Sequence, residues 1–155
     1  MGGWIKFKAS DITGRMSLFG QNDALEFGFS SSSTLEFWSP ATGVVTASFT
    51  PASLGNEAWH HVSVTGDGAA VKIYIDGISV PVTGGVVNTV NYGSSAFTTK
   101  IGSRVFSNTN GETFTGSILK TAFYSTALSA SRIQSLAFGP TVYSGYETGI
   151  IAGYN

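Results

Sequence analysis

The stretch His60-His61-Val62-Ser63-Val64-Thr65-Gly66-Asp67-Gly68-Ala69-Ala70-Val71-Lys72-Ile73-Tyr74-Ile75-Asp76-Gly77-Ile78-Ser79-Val80-Pro81-Val82 decides the fold class. Runs rich in β-branched residues are separated by Gly and Asp, which reads as strand, turn, strand, turn, strand. Two-residue Asp-Gly loops suit the type I′ hairpin, whose positive φ angles Asp and Gly tolerate. In Val71–Ile75 the period of two puts Val71, Ile73 and Ile75 inward and Lys72 and Tyr74 toward solvent or a partner. Ile78, Val80 and Val82 share a face, and Pro81, which has no N–H to donate, places that strand at an edge.

Working outward, Trp4–Lys8, Met16–Phe19, Ala24–Phe29, Thr34–Trp38 and Val44–Phe49 are similar short runs divided by Gly, Ser, Asn and Asp. That spacing predicts a two-sheet antiparallel β-sandwich or a barrel. Helical spacing occurs once, near the end. There Ser129 can cap, Ile133, Leu136 and Ala137 share one face, and Gly139-Pro140 stops the turn. Leu128 before the cap and Ile133 at the fourth helical position are placed for a hydrophobic staple.

The 155 residues carry 42% hydrophobic and only 11% charged side chains, with a formal net charge of -1 and no cysteine. One domain with a sizeable core is expected, without disulfides or thiolate metal sites. The eight basic residues form no run, so nucleic acid is not an expected partner. No apolar stretch approaches the roughly 20 residues of a membrane helix, so no membrane insertion is expected. No signal peptide is visible either.

Several pieces stand in a fixed order: Trp59–Thr65 with Val71–Gly77, then Thr99-Lys100-Ile101-Gly102, Phe114-Thr115-Gly116-Ser117-Ile118, and Phe123–Ile133. Together they resemble the laminin G-like jelly-roll domains of the concanavalin A-like lectin and glucanase superfamily. The resemblance implies an all-β jelly roll with one short C-terminal helix, a sandwich over residues 1–140, and a tail over 141–155 that packs on the sandwich or on a partner. Members commonly bind glycans or proteins, and some distant relatives hydrolyse glucans.

The chain departs from the family pattern in three places. Leu119 and Lys120 stand where the family usually has an acidic pair, Arg132 stands where a helical glutamate is usual, and no strand precedes Trp4–Phe7. The missing strand would be supplied by the tail or by a neighbouring chain, or an edge would be left open. The tail itself, with Tyr143, Tyr146 and Tyr154 spaced by glycines, reads as neither helix nor regular strand.

Glucan hydrolysis needs two carboxylates flanking one bond, usually at alternate positions of one strand. The acidic residues Asp11, Asp23, Glu26, Glu36, Glu57, Asp67, Asp76, Glu112 and Glu147 are dispersed, so no catalytic residues are assigned and no enzyme is expected. His60 and His61, adjacent on a strand, point to opposite faces and cannot share a metal, and His61 reads as a sheet-face or core imidazole. Calcium through Asn22, Asp23 or Asp67 is conceivable but not preferred, because hard cations want several acidic oxygens. No cofactor is expected.

Sugar recognition needs an aromatic face beside hydrogen-bonding groups. Trp38, Tyr92, Phe106, Asn108 and Asn110 supply those types and are the candidate ligand-binding residues, while Trp4 and Trp59 are assigned to the core. The expected function is a non-catalytic, lectin-type module that binds carbohydrate at a loop rim or a curved sheet, in an extracellular setting or on a virion surface. The alternative is a virion or phage decoration, fibre or tail protein that assembles with neighbouring subunits, as a homo-oligomer or within a larger structure.

Overall fold

In the computed structural model, residues 1–85, 94–103, 105–106, 112–139 and 149–154 are described. Among the described residues the strands, in chain order, are β1 (Gly2–Lys6), β2 (Met16–Gln21), β3 (Leu25–Ser31), β4 (Thr34–Ser39), β5 (Gly43–Ser48), β6 (His60–Gly66), β7 (Val71–Ile75), β8 (Ile78–Val80), β9 (Thr83–Gly84), β10 (Lys100–Ile101), β11 (Ser117–Tyr124) and β12 (Ile150–Tyr154), with one α-helix, α1 (Ala130–Phe138), and a 3-10 turn at Ala9–Asp11. They form two six-stranded antiparallel sheets, in the orders β12-β11-β1-β6-β7-β8 and β10-β2-β3-β4-β5-β9.

The period of two drives this arrangement. Ile5, Val62, Val64 and Ile73 of the first sheet meet Leu18, Phe27, Phe29, Leu35 and Val45 of the second, all buried in one core. Phe29 sits among Phe7 (4.9 Å between ring centres), Phe49 (5.8 Å) and Phe114 (6.0 Å), so a large share of the buried apolar surface is aromatic.

The two Asp-Gly turns differ. Asp76 and Gly77 have φ of 48° and 76°, both left-handed as a type I′ turn requires. The Asp67 carboxylate instead accepts the N–H groups of Ala69 and Ala70 at 2.9 and 2.8 Å, so the link between β6 and β7 is a longer Asx-type loop and not the expected two-residue turn.

Tyr74, expected to face outward, is only 3% exposed. It does point to the outer face of the first sheet, where its register partner is Ser63. That face is roofed by α1, which packs on β6 and β8. The helix is capped as its sequence indicates: the Ser129 hydroxyl accepts the Arg132 N–H, and Ile133, Leu136 and Ala137 are buried. The β7–β8 turn lies beneath it, since a Cβ on Gly77 would stand 2.9 Å from Gln134 Cα.

The tryptophan assignments are corrected. Trp59 precedes β6 and is 41% exposed, and Trp4 is half-buried on the outer face, edge-on to His61 at 5.8 Å. Neither belongs to the sandwich core, because Trp4 shares a face with His61 and not with Ile5 and Val62.

β1 lies between β11 and β6, and the far side of β11 is filled by β12 of the same chain, with Phe123 opposite Ala152. The tail therefore contains a regular strand after all, and β12 takes over the end of the sheet beyond β11. Positions 140–148 lie outside the described residues.

Candidate functional site

On the outer face of the second sheet, the residues that alternate with the buried Phe27, Phe29, Leu35 and Phe37 are Glu26 and Gly28 on β3 and Glu36 and Trp38 on β4. Register sets Glu26 opposite Trp38 and Gly28 opposite Glu36. On the next strand Val44 lies opposite Trp38 and Thr46 opposite Glu36. Trp38 is half-buried and Val44 exposed, leaving part of the indole beside apolar and hydroxyl groups.

The other half of this face is covered by the chain running from β10 to β11. The Ser17 hydroxyl accepts the N–H groups of Val105 and Phe106 at 2.9 and 3.3 Å, and both side chains are buried. Two glycines make the close approach possible: a Cβ on Gly28 would lie 2.7 Å from the Phe106 ring, and one on Gly20 would lie 3.1 Å from Val105. The Arg15 guanidinium sits 4.1 Å from the Phe106 ring centre and also pairs with the Glu36 carboxylate.

Of the residues marked for sugar binding, Trp38 and Phe106 thus occupy one face in different roles. Trp38 offers surface, whereas Phe106, at 7% exposure, holds its segment on the sheet. Tyr92, Asn108 and Asn110 lie outside the described residues.

Sequence spacing missed a gathering of carboxylates on this face. Glu26 and Glu36 come from neighbouring strands and not from alternate positions of one strand, and the Glu112 carbonyl accepts the Ser17 N–H at 2.8 Å. Glu26 is 4% exposed, and this burial pushes its carboxyl up to about 7 against the opposing effects of the Asp23 N–H, which it accepts at 2.8 Å, and of Arg15. Near neutral pH it can therefore donate as well as accept a hydrogen bond. Among the described residues no group of three or more His, Asp or Glu is placed to hold a metal ion.

The histidines separate as their spacing requires. His60 Nδ1 is 2.7 Å from Asp76 Oδ2, and its Nε2 is 2.9 Å from Asn56 Oδ1. Asp76 Oδ1 accepts the His61 N–H at 2.8 Å, so this turn aspartate ties two strands together beyond its conformational role. The His61 ring is buried on the outer face of the first sheet.

Residues 3–134 match the profile of a laminin G-like family described as the concanavalin A-like lectin/glucanases superfamily. The chain belongs to this superfamily. The sandwich also resembles the crystal structure of a "putative carbohydrate binding protein" from Bacteroides ovatus ATCC 8483, with a TM-score of 0.70 and 16% identity over 99% of the chain. The chain spans 44% of the length of that protein. No curated protein matches the sequence. Among concanavalin A-like domains the chain is thus placed by fold and family, with the two sheets, their order and the closing helix all in view.

Proposed function

We propose that this concanavalin A-like domain is a non-catalytic carbohydrate-binding module, with the outer face of the second sheet as its binding surface and Trp38 as its stacking platform. The observation that carries the reading is the neighbourhood of Trp38. The half-buried indole stands beside exposed Val44, with the buried Glu26 and Glu36 along the same face and the Arg15–Phe106 assembly as its wall. A sugar presents apolar C–H faces and hydroxyl edges, and an aromatic beside an apolar and a hydroxyl side chain, here Val44 and Thr46, complements both. The carbohydrate-binding description of the Bacteroides protein supports the same reading. Because β12 of the same chain pairs with β11, β11 is not left for a neighbour's strand to complete, and the assembly alternative loses that support.

Glycan-array screening followed by calorimetry tests the proposal. Binding of at least one oligosaccharide is expected, weakened about tenfold or more by Trp38→Ala, which corresponds to roughly 1.4 kcal/mol, and unchanged by chelation of divalent cations. An array with no hits, or Trp38→Ala binding like the parent, would overturn it.

A further inference from the structure

A cavity of about 430 Å³ lies at one end of the sandwich, on the other side of the second sheet from Trp38. Its lining joins the outer face of the first sheet (His61, Ser63), the inner side of α1 (Ile133, Leu136) and the open end between the sheets (Leu25, Phe37). Exposed Ser125 and Thr126 stand at its rim. Gly2 helps to keep the space open over β6, since a Cβ there would fall 2.5 Å from Ser63 Cβ.

Two polar atoms in this wall are unusual. Among the described residues His61 Nδ1 and Ser63 Oγ, both buried, find no hydrogen-bond partner, on residues 2% and 3% exposed. Leaving such a group unsatisfied is costly, and native folds seldom tolerate it without a compensating ligand or water. The two sit two positions apart on one strand face, so a single polar group entering from the cavity lies within reach of either.

We propose that this cavity binds a small uncharged amphipathic molecule, an aromatic or alkyl body ending in a hydroxyl or amide that completes the hydrogen bonding of Ser63 and His61. The body suits the apolar walls, and the volume lies within the range of small-molecule sites. The charge of the ligand follows from the lining, whose only formally charged side chain among the described residues is Asp67. The cationic group among the described lining residues is the α-amino group of Met1, whose pKa burial lowers to about 6, so near neutral pH it is mostly uncharged and an anion entering here would find little countercharge. Burial also keeps the His61 imidazole neutral, its pKa lowered to about 4.

Three probes sharing one ring system separate the possibilities: 1-naphthol, naphthalene and 1-naphthoate, titrated into the full chain and followed by amide chemical shifts in NMR. Saturable shifts at Ser63 and Leu136 are expected with 1-naphthol, with affinity at least fivefold above naphthalene and tenfold above 1-naphthoate. Ser63→Ala, nearly isosteric, should reduce the naphthol-to-naphthalene ratio to below about twofold. Thr126→Trp, at an exposed rim position that leaves the core intact, should weaken both neutral probes. The proposal fails if no probe shifts these amides, if 1-naphthoate binds as well as 1-naphthol, or if Ser63→Ala leaves the ratio intact, since water alone would then satisfy the pair. Contacts from residues 140–148 to Leu136 in the free protein would also overturn it, because the chain would fill its own cavity.

Discussion

Glu26 and His61 are both buried ionisable residues, yet they act on stability in opposite directions. The folded state raises the Glu26 pKa from 4.5 to about 7, so it binds that proton more tightly than the unfolded chain does. Stability from this group is complete below pH 4.5 and is lost as pH rises toward 7. His61 is lowered from 6.5 to about 4, so its contribution is complete above pH 6.5 and is lost as pH falls toward 4. Between those limits the slopes oppose each other. Glu26→Gln keeps an acceptor for the Asp23 N–H but removes the titration. Urea midpoints should show the variant gaining on the parent between about pH 4 and pH 8, and a constant difference would mean that Glu26 titrates normally. The burial of Glu26 was not legible in the sequence. An acid at an outward strand position ordinarily meets water, whereas here the segment with Val105 and Phe106, arriving from far along the chain, lies over this face against the neighbouring Gly20 and Gly28. A trace of the event was nevertheless present, because glycines inside strands, here Gly20 and Gly28, mark places where another backbone comes close.

At the level of elements, alternation was enough to locate β2 through β8 and to orient most of their side chains. It failed at Tyr74 because a period of two distinguishes faces, not what covers them. The outer face of β6 and β7 is roofed by a helix about 60 residues later in the chain, and no local pattern announces that. The helix was itself readable from Ser129, Leu128 and Gly139, all local signals. Where helix and hairpin meet, Gly77 is the contact most sensitive to change. Gly77→Ala adds a Cβ at φ 76° and 2.9 Å from Gln134 Cα. It should destabilise the protein by roughly 2 kcal/mol or more, through left-handed strain and displacement of α1. Chemical denaturation measures the loss, and amide shifts confined to α1 and the β7–β8 turn would locate it. A change within about 0.5 kcal/mol would mean that the helix rides more loosely on the sheet than its buried Ile133, Leu136 and Ala137 indicate.

Over the whole molecule, the strand order has a kinetic corollary. β1, first in sequence, is flanked by β6 and by β11, whose paired residues lie about 60 and 120 positions away (Gly2 with Ser63 and with Ala122). During synthesis β1 must therefore wait, unpaired on one side, until the chain as far as β11 has left the ribosome. Closing such wide loops slows folding, and refolding in milliseconds to seconds is expected, as for other β-rich topologies. Stopped-flow refolding measures this directly, and relaxation in microseconds would contradict it. The interval before β11 emerges is when the nascent chain is most exposed to wrong pairing with its neighbours.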